Sequence, residues 1–437
     1  MQVEEQATTQ TEQHSTVAPV TTAKPTRTSA RIVIVGGGTA GITVAARLCR
    51  AIKQPNVTII EPSEQHVYQP GQTLIGGGVF TREQIVRDER DYIPAAARWV
   101  KDTVVAFHPD KNEVVTAGGQ NIGYDYLIVA PGLQLDFNLI AGLEGHLGKD
   151  GICSIYTLDD AERTWRMIDG FKGGNAIFTF PATPVKCAGA PQKIMYMADE
   201  TFRRHGVRVD SHITFATAGL RIFGIDAYVG PLNQVADRKK IERKYQYQLV
   251  EVRPEKKEAV FSVTREKIQG DQKVQEKVQE VLPYELLHVV PPMSAPTVVQ
   301  TSPLAHSEGA DKGWLKVDRA TLQHLDYPNI FGLGDVIGVA TTKTGAAIRK
   351  QAPVVVHNLL ATIDGKDPAT SFNKYTGYTS CPLITGYGKL ILAEFDYSGK
   401  PVPSIPWDST KERFSGWLLK VYALPALYWY GMLRWRA

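Results

Sequence analysis

Residues 31–61 restrict the fold of this chain more than any other stretch. Arg31-Ile32-Val33-Ile34-Val35 is a short apolar run, the pattern of a strand buried on both faces of a parallel sheet. Gly36, Gly38 and Gly41 follow in the spacing GxGxxG, with Thr39 and Ala40 between the last two. A helix is expected from Thr39 to Arg50, then a second strand from Val57 to Ile60 that ends at Glu61. This is a complete βαβ unit. The glycines permit a tight turn and close approach of a pyrophosphate to the helix N-terminus. Glu61, 20 residues beyond Gly41, can accept hydrogen bonds from a ribose. The bland alternative is a tight strand–helix turn without a ligand. Strand, helix and acid in one register favour dinucleotide binding.

With 437 residues, 43% of them hydrophobic, the chain can build two or three domains with their own cores. The net charge of +4 comes without a basic block or nucleic-acid motif, which argues against nucleic acid as a partner. The four cysteines are Cys49, Cys153, Cys187 and Cys381. They show no CxxC spacing, so no metal site is expected, and four are too few for a secreted disulfide framework. Residues 1–30 are rich in Thr and Gln and lack aromatics, so a disordered tail is expected. They have no apolar signal core, and Glu4, Glu5 and Glu12 suit a mitochondrial transit peptide poorly.

Two later segments bear on which dinucleotide is bound. Tyr124 to Val129 reads as a buried strand that runs into Ala130-Pro131-Gly132. Asn329 to Leu333 reads as another, ending in Gly334-Asp335. Both resemble the outlying motifs of the two-dinucleotide-binding-domain flavoproteins. That resemblance implies FAD, with Asp335 at its ribityl chain and the helix from Thr344 aiming its N-terminus at the flavin. The alternative for Asp335 is a turn cap. It further implies an α/β fold with two Rossmann-like dinucleotide-binding domains, the first interrupted by the second. Residues 31–145 and 300–370 would form the FAD-binding domain and 146–299 the second domain. Residues 371–437 would form a C-terminal segment.

The second domain is expected to open with a helix capped by Thr157 and a strand from Gly174 to Phe180. In relatives that oxidise NADH, the next turn carries its own GxGxxG. Here it reads Pro181-Ala182-Thr183-Pro184-Val185-Lys186-Cys187-Ala188-Gly189, so a nicotinamide dinucleotide has no obvious cradle. A helix from about Pro191 follows. Cys187 therefore lies near a helix N-terminus between Lys186 and Lys193, and both features lower a thiol pKa. Residues 233–280 are dense in charge and read as a solvated hairpin. His288 reads as a packed strand histidine.

The last stretch holds Trp407, Trp417, Trp429 and Trp435, four of the seven tryptophans, interspersed with Lys and Arg. Its apolar run, Val421 to Leu433, contains Pro425 and is shorter than the roughly 20 residues a spanning helix needs. One or two amphipathic helices lying in a membrane surface are expected. The alternative is a core or dimer contact.

Taken with Tyr378 to Thr385 around Cys381, and with Pro184 to Lys193, the chain resembles the sulfide:quinone oxidoreductases of the mitochondrial-like branch. The resemblance runs from about residue 31 to the end. It implies a redox pair, Cys187 and Cys381, beside the flavin. Hydrogen sulfide attacks the sulfur matching Cys381 and leaves a persulfide there; the thiolate matching Cys187 passes two electrons to FAD. The sulfane sulfur goes to glutathione, sulfite or cyanide, and a membrane quinone takes the electrons. Lys343 would put positive charge near flavin or quinone, or would be a surface lysine. Another branch of the family uses a third cysteine, near the position of Tyr156 here, so Cys153 is expected to be a bystander. The resemblance implies a monotopic membrane protein on a bacterial cytoplasmic face or the matrix face of the mitochondrial inner membrane. It leaves the oligomeric state open, a homodimer included. The rival readings are a type II NADH:quinone oxidoreductase, the flavin subunit of a flavocytochrome c sulfide dehydrogenase, and a membrane flavoprotein that acts only through partner contacts.

Overall fold

The computed structural model of the chain describes residues 25–269, 272–339 and 342–436. The disorder expected for residues 1–30 falls mostly outside them. Two parallel sheets organise the rest. At the centre of the first is β1 (Arg31–Val35), followed by α1 (Thr39–Ala51) and β2 (Asn56–Ile60), which pairs in parallel with β1. β3 (Ala97–Val100) lies outside β2, and β4 (Tyr126–Val129) flanks β1 on its other side. β1 and β4 read as unbroken apolar runs because both faces of the sheet are covered: Ile32, Ile34, Leu127 and Ile128 are all buried. α1 buries Ile42, Val44, Ala45 and Leu48 against it.

The second sheet is built from β5 (Ile152–Cys153), β6 (Gly174–Phe180), β7 (Ser211–Thr217) and β8 (Glu242–Tyr245). Two helices serve it. α2 (Leu158–Asp169) starts at Thr157, whose hydroxyl accepts the Asp160 amide, as its N-cap position requires. α3 (Ala190–Arg204) has Pro191 in its first turn and buries almost its whole length.

The charged region is larger than a hairpin. β9 (Tyr247–Arg253), β10 (Glu258–Gln269) and β11 (Gln272–Pro283) form a three-stranded antiparallel meander. One face buries Val252, Ala259, Phe261 and Val263. The other carries ion pairs such as Arg253–Glu251 and Arg253–Glu258. Exposed pairs of this kind contribute about 0–1 kcal/mol each, so the buried face holds the meander in place. β12 (Leu286–His288) then returns to the second sheet between β5 and β6. His288 is fully buried there, both ring nitrogens lack a partner among the described residues, and burial pushes its pKa down to about 3. It is a neutral packing residue.

The chain next re-enters the first sheet through β13 (Ile330–Gly332), beside β4. α4 (Gly345–Ile363) follows, capped by the Thr344 hydroxyl. A hairpin of β14 (Thr379–Gly386) and β15 (Lys389–Phe395) lies against α3 and pairs Cys381 with Ala393.

The terminal segment is one helical stretch with irregular winding. Phe414–Leu418 is α-helical, Leu419–Ala423 and Leu427–Gly431 are wide π turns, and Met432–Arg434 is a tight 3₁₀ turn. Pro425, in the short piece between the π turns, cannot donate a backbone hydrogen bond, and loosened winding accommodates that loss. This segment is docked rather than free. Tyr428, Trp429, Met432 and Leu433 join the core of the first sheet. Phe414, Tyr422 and Tyr430 point outward, 63%, 68% and 60% exposed. No described helix is long and apolar enough to cross a membrane.

Candidate active site

One large cavity, about 520 Å³, opens at the C-terminal ends of the strands of the first sheet. The glycine turn forms one end. Gly36 has φ +98°, and a Cβ there would meet the Ala130 carbonyl at 2.4 Å. A Cβ on Gly41 would lie 1.8 Å from the Gly36 oxygen, so Gly41 lets α1 pack tightly and does not itself line the cavity. Gly38 faces open space. No side chain caps α1, which leaves its first amides for a phosphate. Glu61 anchors the turn: its carboxylate accepts the Gly37 amide at 2.6 Å and the Ser63 amide at 2.8 Å.

Thr39, Ala40, Ala130, Pro131 and Gly132 continue the wall, and Gly334, Asp335 and Lys343 complete it toward the second sheet. Burial raises the Asp335 carboxyl pKa, against the pull of Lys343 and Lys186. Lys343 is 7% exposed, which removes the surface-lysine reading. Its ammonium donates to the Ile337 carbonyl and sits 3.8 Å from the Trp314 ring centre, and burial lowers its pKa to about 8.

Cys187 borders the same cavity, at the base of α3. Its backbone is left-handed, φ 52°, a conformation that costs a non-glycine residue about 1–2 kcal/mol. Two hydrogen bonds hold it: the Cys187 amide donates to the Lys343 carbonyl at 2.8 Å, and the Ala190 amide donates to the Cys187 carbonyl at 2.7 Å. Cys381, 194 positions later in the chain, meets it here from β14, and the two sulfurs are hydrogen-bonded. Gly189 makes this approach possible. A Cβ at 189 would lie 2.5 Å from the Cys381 sulfur and 2.3 Å from Leu383.

The hydrogen bond from Cys381 is the largest influence on Cys187, and Lys193 and Lys420 add to it. Together they overcome burial and hold the Cys187 thiol well below its ordinary pKa. The bond to Cys187 and burial push Cys381 the other way. Of the two lysines flanking Cys187, only Lys193 touches it, its ammonium donating to the sulfur at 3.1 Å. Burial opposes that charge, yet the facing sulfurs keep the Lys193 pKa raised. Lys186 turns instead to Gln69 Oε1 at 3.0 Å. The arrangement is a thiolate and a neutral thiol side by side, which suits Cys187 as nucleophile or leaving group. Cys153 and Cys49 are different. Burial pushes their thiols to about 12 and about 11, and neither lines the cavity.

Several neighbours were not foreseen. Lys420 reaches in from the terminal segment, is fully buried, donates to the Pro70 carbonyl at 2.9 Å, and has its pKa lowered by burial to about 7. A lone lysine on the edge of an apolar run was the only available signal. Tyr156 lines the wall near both sulfurs, and its buried hydroxyl has no partner among the described residues. His66, Glu89 and Tyr428 line the glycine end.

A dinucleotide suits the far end of this cavity. The uncapped α1 amides and the open space over Gly38 and Gly132 form a cradle that side chains would fill. Comparison with known proteins agrees. Residues 30–166 match the pyridine nucleotide-disulphide oxidoreductase family. The chain is 44% identical to the mitochondrial sulfide:quinone oxidoreductase of Mus musculus, over 92% of this chain and 86% of that protein. The mitochondrial sulfide:quinone oxidoreductase of Dictyostelium discoideum is also 44% identical, over 93% and 86%. The crystal structure of the sulfide:quinone oxidoreductase of Aquifex aeolicus superposes with a TM-score of 0.76, covering 92% of this chain and 91% of that one, and at 22% identity it speaks for the fold. The chain belongs to the sulfide:quinone oxidoreductase family of FAD-dependent oxidoreductases.

Proposed function

We propose that the chain oxidises hydrogen sulfide at the Cys187–Cys381 pair and delivers two electrons to a membrane quinone. The observation that carries this reading is the meeting of two remote sulfurs, one of them, the stabilised thiolate of Cys187, at the wall of the fingerprint cavity and the other, Cys381, buried behind it. In the oxidised pair, hydrosulfide attacks Cys381 Sγ. The Cys187–Cys381 bond breaks, Cys381 carries a persulfide, and Cys187 leaves as a thiolate that Lys193 stabilises. The low thiol pKa makes Cys187 the better leaving group, which directs attack to Cys381. The outer sulfur then passes to a thiol or to sulfite, which leaves the pair reduced. Re-forming the disulfide releases two electrons. Bound FAD supplies the two-electron carrier between the pair and the quinone.

In this reading Gly36, Gly38, Thr39, Ala40 and Glu61 hold the adenosine and pyrophosphate, Gly41 lets α1 pack close enough for that, and Ala130, Pro131 and Gly132 line the middle. Gly334, Asp335 and Lys343 meet the flavin end. Residues 31–145 and 300–370 act as the FAD-binding domain and 146–299 as the domain that presents Cys187. The outward Phe414, Leu418, Tyr422 and Tyr430 suit a membrane surface, where a quinone resides. The mitochondrial relatives support a mitochondrial location for that surface.

Anaerobic addition of sulfide to the holoprotein should bleach the flavin absorbance, and a short-chain quinone should restore it. Cys187→Ser and Cys381→Ser should each slow the bleaching by at least ~10³-fold. Bleaching by NADH but not by sulfide would overturn the reading.

A further inference from the structure

A buried hydrogen-bonded chain links the terminal segment to the glycine end of the cavity. The Thr39 hydroxyl, at the start of α1, is 2.8 Å from the Tyr428 hydroxyl. That hydroxyl is 2.6 Å from His66 Nε2, and His66 Nδ1 is 2.8 Å from Glu89 Oε2. His66 and Glu89 are each 2% exposed, and Tyr428 is 3% exposed. One tautomer satisfies the row: Thr39 donates to Tyr428, Tyr428 donates to His66 Nε2, and His66 Nδ1–H donates to Glu89. The row ends on an open valence. Glu89 Oε1 is buried and has no partner among the described residues.

That oxygen lies against the glycine turn. A Cβ on Gly37 would fall 2.7 Å from Glu89 Oε1 and 2.6 Å from Glu61 Cγ, so the two acids converge on the same spot. Both line the cavity. A buried carboxyl oxygen left unpaired costs about 1–3 kcal/mol or more, so such atoms are normally satisfied by something that binds. Two neighbouring carboxyl groups at the end of a βαβ unit match a ligand with two adjacent hydroxyls. Each hydroxyl can donate one hydrogen bond.

We infer that Glu89 is a second ribose-binding residue beside Glu61, and that Tyr428 of the terminal segment positions it through His66. The inference rests on the cavity being the FAD site. It adds a role for the terminal segment, which thereby stands behind the adenosine end of the cofactor. Glu89 is a binding residue, while His66 and Tyr428 are positioning residues.

The test compares FAD with analogues whose adenosine ribose lacks the 2′- or the 3′-hydroxyl, bound to deflavinated full-length protein and followed by quenching of flavin fluorescence. The unmodified protein should bind at least one deoxy analogue about ten-fold more weakly than FAD, the loss expected for one charge-assisted hydrogen bond. In Glu89→Leu, the preference at one of the two hydroxyls should vanish, while that at the hydroxyl Glu61 holds remains. Tyr428→Phe removes a single oxygen and leaves the packing of the ring intact. It should shrink the preference and speed FAD release several-fold, with near-ultraviolet circular dichroism unchanged. If Glu89→Leu does not refold, Tyr428→Phe still decides the question. An undiminished preference for FAD over the deoxy analogues in either variant overturns the inference. Failure of the unmodified protein to bind FAD at all would overturn the cofactor site itself, which is a separate result.

Discussion

The two strand-to-helix turns of this chain start from the same βαβ geometry and end in opposite chemistry. After β1 the turn is made of glycines, it leaves the α1 amides bare, and the helix end faces the cavity. After β6 the turn carries two prolines, and it brings Cys187 to the base of α3 in a left-handed conformation. In both, the positive end of a helix faces a negative group. In the first, that group is, on the proposed function, a cofactor phosphate the protein must recruit. In the second, it is a sulfur the protein already carries. On the proposed function, a Rossmann-like unit thus changes from cofactor holder to nucleophile holder when a thiol replaces the glycine cradle.

The sharpest break in this comparison comes from exchanging glycines for alanine. Gly41→Ala places a Cβ 1.8 Å from the Gly36 oxygen, and should cost ~3 kcal/mol or more and empty the protein of flavin. Gly189→Ala crowds Cys381 and Leu383 instead. It should leave the flavin content intact while suppressing sulfide-dependent bleaching at least ten-fold. Flavin content by absorbance and bleaching by stopped flow separate the two outcomes.

Lys193→Met has a smaller effect, on the thiolate alone. In the reduced protein the Cys187 pKa is depressed by Cys381 and by Lys193, so alkylation of Cys187 should set in at lower pH than for an ordinary thiol. Without the ammonium the alkylation profile should move to higher pH and the rate at pH 6 should fall several-fold. An unchanged profile would assign the depression to Cys381 and the helix end.

Lys420 gives a pH signature. Its folded pKa, about 7, lies below the ordinary lysine value of 10.5, so between these values the unfolded chain binds the extra proton. Stability from this group therefore rises as pH increases from about 7 toward 10.5, and the penalty is fully present below 7. Denaturant titrations should show that rise in the parent and a flatter curve in Lys420→Met. Cys153→Ser should change least, leaving sulfide oxidation within about two-fold, because that thiol is buried away from the cavity.

Local features carried most of the fold. The runs 31–35 and 174–180 are apolar because parallel strands are covered on both faces, and that pattern survives without any knowledge of their neighbours. The glycine spacing and the Thr157 cap are equally local. The meeting of Cys187 and Cys381 was legible only through family resemblance, since nothing in the flanking residues of Cys187 says that Cys381 lies beside it. Lys420 and Tyr428 of the terminal segment, and His66 and Glu89 more than 300 positions earlier, escaped because each means little until those segments meet. Trp429 shows the same limit. Among Lys, Arg and other aromatics it reads as a membrane-surface residue, yet it packs between Tyr68, Tyr92 and His66 in the core. An aromatic side chain satisfies both environments, and only the docked segment separates them.

The backbone bridge between Lys186 and Lys343, with the Cys187 amide fastened to the Lys343 carbonyl, ties one sheet's reactive loop to the other sheet's cofactor loop. Any swinging of the two halves against each other would tear that joint and drag the sulfur out of register. That joint therefore favours a turnover in which the two halves keep their relative placement, without the clamshell motion that two-lobed enzymes often use.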